Sequence, residues 1–67
     1  MKNGTEIMID SIMKSKPKNS WLTIDFYDDI IISQVIETTE GCIVHASSSG
    51  DILNECLDSL ITQLKEE

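Results

Sequence analysis

Apolar residues recur at helical spacing in two segments, one near each end of the chain. The first segment follows the i, i+3, i+4 rule and predicts a helix over about 4–15. Asn3 and Glu6 have the spacing of a capping box at its start, and Pro17 disfavours helical backbone just after its end. We therefore expect a short amphipathic helix with a defined start and stop.

The second segment predicts an amphipathic helix over about 50–65. Ser48 and Asp51 have capping-box spacing at its expected start. Its apolar stripe consists of Leu53, Cys56, Leu57, Leu60, Ile61 and Leu64.

Between the two helices the pattern changes to the alternation that is typical of strands. The predicted strands span about 21–27, 30–37 and 42–46. Asp28 and Asp29 form a two-residue turn, 38–41 a second turn, and 47–50 a polar break before the last helix. The expected architecture is one α+β domain over 1–67 in the order α-β-β-β-α, with two helices on one face of a three-stranded antiparallel sheet.

The predicted sheet has two faces, because the first turn places Tyr27 opposite Ile30. The expected core side carries Leu22, Ile24, Phe26, Ile31, Ser33, Val35, Cys42, Val44 and Ala46. The opposite side carries Trp21, Thr23, Asp25, Tyr27, Ile30, Ile32, Gln34, Ile36, Ile43 and His45, with His45 paired to Gln34. So many apolar residues on an uncovered face are typical of a contact surface, for a second copy or for a foreign partner. A slip of one residue in register would exchange the two faces.

Charge is distributed unevenly over the 67 residues, whose formal net charge is −7. Residues 1–18 carry a net +2, with lysines at Lys14, Lys16 and Lys18, and residues 19–67 carry a net −9. Direct binding of nucleic acid is not expected of a chain without arginine, because such binding requires cations on the phosphates. Whether the three lysines contact nucleic acid stays open. An anionic surface instead favours a basic protein partner through electrostatic steering.

The sequence offers no pattern for catalysis, for a cofactor or for a metal. Cys42 and His45 are three apart on a predicted strand and would point to opposite faces, which argues against a dyad. Neither a calcium-loop pattern nor a glycine-rich phosphate loop occurs. Cys42 and Cys56 are expected to be inward-facing free thiols. Two cysteines are too few for the disulfide framework of a small secreted protein, so the expected location is the reducing cytoplasm. No apolar run approaches the roughly 20 residues that span a bilayer.

Two resemblances concern the order of elements and the second half of the chain. The α-β-β-β-α order looks like a double-stranded RNA-binding domain, but residues 47–51 replace that family's lysine-rich entry to the second helix. Residues 41–57 are similar to the strand and helix of HicB-like antitoxins. The residues that carry this second likeness are Gly41, Cys42, Ile43, Val44, His45, Ser49, Gly50, Asp51, Leu53, Asn54, Glu55, Cys56 and Leu57. It implies an antitoxin that covers the basic site of an RNA-cleaving toxin.

The whole chain resembles small acidic phage-encoded inhibitors of the anti-CRISPR type in size, charge and layout. This resemblance implies a phage or mobile-element protein that binds and inhibits a CRISPR nuclease. The prediction is therefore a non-catalytic inhibitor of a basic nuclease or ribonucleoprotein, with the HicB-like antitoxin and a self-assembling homodimeric module as alternatives. The expected partner-binding residues are Trp21, Tyr27, Asp28, Asp29, Ile30, Ile32, Glu55 and Asp58.

Overall fold

The computed structural model describes residues 3–38 and 41–66. They form five elements: α1 (Gly4–Ser15), β1 (Ser20–Phe26), β2 (Ile31–Glu37), β3 (Ile43–Gly50) and α2 (Leu53–Lys65). The strands pair antiparallel in the order β1-β2-β3, with β2 in the centre. α2 packs across β2 and β3, and α1 packs mainly against α2 with slight contact to β1. The predicted α+β class and element order are confirmed.

α1 begins and ends where the sequence predicts. The side chain of Asn3 accepts a hydrogen bond of 2.9 Å from the backbone N–H of Glu6, which caps the first turn. At the other end the backbone N–H of Lys16 donates to the carbonyl of Ile12, and the backbone of Lys16 then becomes extended before Pro17. Ile12 is fully buried and joins α1 to the core.

The hairpin between β1 and β2 has the predicted register. The backbone N–H of Tyr27 donates to the carbonyl of Ile30 at 2.9 Å, so Asp28 and Asp29 form the two-residue turn. Phe26 then lies opposite Ile31, and the pairing continues without a shift to the far end of the strands. The second turn was predicted at 38–41, and positions 39 and 40 lie outside the described residues.

β3 contains a β-bulge that the alternation did not predict. Val35 pairs with Ala46 but Ile36 pairs with Val44, so His45 is an extra residue on β3. Val44 therefore lies opposite Ile36, on the uncovered face, and is 51% exposed. Its predicted place in the core was wrong because one inserted residue exchanges the two sides of a strand.

The bulge also changes the partners of neighbouring residues. Gln34 pairs with Ser47, not with His45 as predicted. Ile43 lies opposite Glu37, a register position on the other side of the sheet from the one predicted. Cys42 was expected to point inward and is exposed, whereas Cys56 is buried as expected. The face without helices, which we call the open face, carries Trp21, Thr23, Asp25, Tyr27, Ile30, Ile32, Gln34, Ile36, Val44, Ser47 and Ser49.

The segment predicted as a polar break continues β3 as far as Gly50. Ser48 pairs with Ser33, and Gly50 pairs with Ile31, so these small residues complete the sheet. α2 accordingly begins later than predicted, with Ile52 at the N-cap position and no side-chain cap. The capping-box spacing was misleading because ladder hydrogen bonds hold Ser48 in an extended strand.

A small core lies between the helices and the covered face of the sheet. Its buried apolar residues are Ile12, Val35, Ala46, Leu57, Leu60 and Leu64. Leu22 and Ile24 pack against this cluster as predicted. Phe26 was also expected there but is 67% exposed. It lies at the end of the edge strand β1, where α1 provides little cover.

Replacing Ser33 with alanine is expected to raise the free energy of unfolding by about 1 kcal/mol, because a buried hydroxyl without a partner costs stability. The Ser33 side chain is fully buried, and its Oγ has no hydrogen-bond partner among the described residues. Urea denaturation measures the change. The control is Ser48→Ala, which removes a less buried hydroxyl from the paired position and should change stability by less than about 0.5 kcal/mol. A loss of stability in Ser33→Ala would contradict the expectation.

Candidate functional site

The tip of the β1–β2 hairpin combines negative charge with exposed apolar surface. Asp28 and Asp29 are exposed in the turn, and the paired residues Tyr27 and Ile30 flank them. Tyr27 is 59% exposed and Ile30 is 37% exposed. Because a two-residue turn holds these residues close together, the structure unites four of the predicted partner-binding residues in one small surface.

The open face extends from this tip along the whole sheet. Trp21 is 41% exposed and lies opposite Ile36, which in turn lies opposite Val44. Ile32 is half-buried on the central strand, next to Asp25 on β1. The predicted anchors Trp21 and Ile32 therefore belong to the same surface as the hairpin tip. Val44 also belongs to it, and no sequence signal identified this residue because the bulge decides its side.

The predicted carboxylates of α2 lie on a different side of the molecule. Glu55 and Asp58 are exposed and line an open groove of about 400 Å³ beside α1, together with Met8, Asn54 and Ser59. The hydroxyl of Thr5 donates a hydrogen bond of 2.7 Å to the side chain of Asn54 and links the two helices there. Since both helices cover one face of the sheet, these two carboxylates and the open face cannot contact the same flat surface of a partner.

The lysine cluster lies at the opposite end of β1 from the acidic turn. Lys14 is in the last turn of α1, and Lys18 is exposed just before β1 begins. The ammonium group of Lys16 donates a 2.8 Å hydrogen bond to the carbonyl of Ser20, so this lysine fastens α1 to the start of β1. The two ends of β1 therefore carry opposite charge.

His45, the extra residue of the bulge, contacts an acidic side chain of β2. Its Nδ1 atom lies 3.2 Å from Oε2 of Glu37, a contact that the sequence did not predict. Cys42 and Cys56 are both free thiols. Within residues 3–38 and 41–66 no three His, Cys, Asp or Glu side chains are grouped so that they could hold a metal ion.

Neither of the described helices has the length and apolar character needed to cross a bilayer.

In the comparisons with known proteins, no family model, no curated protein and no solved structure matches the chain.

Proposed function

We propose that this protein is a non-catalytic binding protein that inhibits a basic, nucleic-acid-processing partner in the cytoplasm. The observation that carries the proposal is the hairpin tip, where the exposed residues Asp28 and Asp29 form the turn that joins the exposed pair Tyr27 and Ile30. Carboxylates in such a position pair with lysine and arginine, and adjacent aromatic groups supply apolar anchoring. The partner of this kind that we propose is a CRISPR nuclease.

Long-range electrostatics support a basic partner. Residues 19–67 carry a net charge of −9, and they include the whole sheet and α2. An anionic surface raises the rate of encounter with a basic protein and disfavours acidic competitors. Proteins that handle nucleic acid present basic clefts, because they must neutralise phosphates. An acidic protein that occupies such a cleft would exclude the nucleic acid.

The open face supplies the apolar part of the proposed contact. Trp21, Ile36 and Val44 form a row across the three strands, and Ile32 lies between this row and the hairpin tip. Tryptophan and tyrosine contribute much of the binding energy at many interfaces. Glu55 and Asp58 lie on the helical side, so in this proposal they steer the approach and do not join the same contact.

The two alternatives use the same surfaces differently. A HicB-like antitoxin would present the hairpin tip and the open face to the basic site of an RNA-cleaving toxin. A self-assembling module would bury the open face against a second copy, and the apolar row through Trp21 is the observation that favours this possibility. The turn lies at the edge of such a face-to-face contact. Charge reversal at the turn should therefore leave self-assembly intact, whereas it should weaken binding by a nuclease inhibitor or by an antitoxin.

The double substitution Asp28→Lys with Asp29→Lys is expected to weaken binding to the basic partner by about tenfold or more. Each carboxylate would be replaced by an ammonium group, which the lysine and arginine side chains of the partner repel. The measurement is capture of proteins from an extract of the native host at moderate salt by the tagged parent and by the variant. Each protein that only the parent retains is then purified, and its nuclease activity is assayed with and without the parent. We expect at least one basic, nucleic-acid-processing protein that the parent inhibits.

The matched control is Glu66→Lys with Glu67→Lys, which changes the net charge equally at two acidic residues that follow α2 in the sequence. This control should bind and inhibit like the parent. Equal capture and inhibition by the Asp28 and Asp29 variant would contradict the proposal. Loss of binding in both double variants would show that total charge matters and the hairpin tip does not.

A further inference from the structure

The sheet has two edge strands, and the outer edge of β3 is covered at its middle by a side chain of α2. The side-chain amide of Gln63 on α2 accepts a hydrogen bond from the backbone N–H of Ser47 at 3.2 Å and donates one to its carbonyl at 2.7 Å. This amide occupies the positions that a neighbouring strand would use. The bulge at His45 distorts the same edge. Covering groups and bulges are devices that prevent edge strands from pairing with other chains.

In the described part of the chain the outer edge of β1 is covered at its start, where the ammonium group of Lys16 bonds to the carbonyl of Ser20, and the covering does not extend along the strand. Tyr27 and Asn19 are both in hydrogen-bonded pairs with β2, through the Tyr27 N–H to Ile30 and the Asn19 carbonyl to Thr38. Hydrogen-bonded pairs alternate along an antiparallel ladder, so the odd-numbered residues of β1 bond to β2. The N–H and carbonyl groups of Leu22, Ile24 and Phe26 therefore point away from the sheet. No strand in the described part of the chain pairs with that edge, and α1 contacts β1 only slightly.

We propose that β1 pairs antiparallel with β1 of a second copy, about a twofold axis at Thr23, to form a symmetric dimer with a continuous six-stranded sheet. In this register Leu22 of each copy lies opposite Ile24 of the other. These two pairs exchange hydrogen bonds through the outward-pointing backbone groups. Such a contact between identical edges closes on itself, as an isologous interface requires. The proposal goes beyond the inhibitory function and does not depend on it.

The side chains of β1 are suited to this register. On the covered side, Leu22 and Ile24 of the two copies join into one apolar group beside the existing cores. Phe26, which is 67% exposed in one copy, gains Ser20 of the second copy as its direct neighbour and Leu22 as its diagonal neighbour. Asp25 is the one charged residue of β1, and it lies opposite Trp21 of the second copy, so no like charges face each other within the strands.

Charge at the two ends of β1 favours the same arrangement. When the register is extended beyond the strands, Lys18 of one copy lies across from Asp28 of the other, and both residues are exposed. The antiparallel orientation brings the lysine-bearing start of each β1 next to the acidic turn of the other copy, twice in the dimer. A parallel arrangement would bring acidic turn against acidic turn. This complementarity opposes the general repulsion between two chains of net charge −7.

The first test compares Thr23→Lys with Gln34→Lys by sedimentation equilibrium, from roughly 10 μM to about 1 mM protein, which covers weak dimers. Thr23 lies on the proposed axis, so two lysines would face each other directly, and the dimer Kd should rise about fivefold or more. Gln34 is the partner of Thr23 on β2, on the same open face but one strand further from the axis. Gln34→Lys makes the same charge change and should leave the Kd within about twofold of the parent.

Both substitutions lower the net negative charge, and this change by itself would strengthen self-association. Weaker dimerisation of Thr23→Lys would therefore come from repulsion between the two lysines at the proposed axis. A larger loss in Gln34→Lys than in Thr23→Lys would overturn the edge pairing and indicate contact through the open face. A parent that stays monomeric over the whole range would also overturn the proposal, and would leave the edge for a foreign strand. Circular dichroism establishes that each variant is folded.

The second test needs no variant. Amide hydrogen exchange is measured on the parent protein at a dilute concentration and at one where about nine-tenths is dimeric. The amides of Leu22 and Ile24 should exchange about tenfold more slowly in the concentrated sample, since exchange would occur from the remaining monomer. The Thr23 amide bonds to β2 and should change little. Equal rates for Leu22 and Ile24 at both concentrations would contradict pairing through this edge.

Discussion

Leu57→Ala is expected to lower the free energy of unfolding by about 3 kcal/mol, the usual range for removing a fully buried leucine being roughly 2–5 kcal/mol. Leu57 is completely buried in the core cluster that joins α2 to β2, β3 and α1. A core in a domain of this size rarely supplies more than about 3–5 kcal/mol of net stability. We therefore expect the variant to be largely unfolded near room temperature. Urea or thermal denaturation followed by circular dichroism measures the loss.

The control for this substitution is Ile7→Ala, which removes an apolar side chain of the same size from α1 where it is 58% exposed. Its stability should change by less than about 0.5 kcal/mol, because little burial is lost and alanine favours the helix. A loss below about 1 kcal/mol in Leu57→Ala would contradict a close-packed core around α2. If the protein dimerises through β1, both variants must be compared at one concentration, since dimerisation adds to apparent stability.

Trp21→Ala is expected to weaken binding to the basic partner by about 30-fold, and Tyr27→Ala by a similar factor, as is typical when an aromatic anchor is truncated. Both side chains belong to the open face and are 41% and 59% exposed. The folded state should therefore lose much less stability than the complex does. Affinity is measured by titration calorimetry against the partner that the parent protein captures and the Asp28 and Asp29 double variant does not. The protein concentration is kept below that at which the protein self-associates.

Phe26→Ala is the matched control for the aromatic anchors. Phe26 is adjacent to Tyr27 and is 67% exposed, but its register position is on the covered side of the sheet. Its truncation should leave the affinity for the partner within about threefold, which is less than 1 kcal/mol. An equal loss in all three variants would indicate a general effect of aromatic groups near the tip. No loss in Trp21→Ala would contradict a contact through the open face.

Much of the fold was predictable because local patterns and packing agree. The Asn3 cap and Pro17 place α1, and the two-residue turn at Asp28 and Asp29 sets the β1–β2 register. The stripe of α2 identifies Leu57 and its buried neighbours. These features depend on residues close together in the sequence, where capping, turn geometry and periodicity act directly.

The candidate site was predictable only where it follows from the hairpin. Tyr27 and the two turn aspartates meet at the tip as expected. Glu55 and Asp58 were grouped with them by charge, but they lie beside α1 on the helical side. A list of acidic residues along the chain contains no information about which side of the sheet a helix will cover.

The sequence by itself determined the order of the elements, the register of the first hairpin, the core face of α2 and the acidic character of the surface. The tertiary structure decided the rest, because those features depend on contacts between distant residues. The bulge at His45 moves Val44 to the open face. Gln63 covers the outer edge of β3 at Ser47. α1 packs mainly on α2 and contacts β1 only slightly, which leaves Phe26 and most of the β1 edge uncovered.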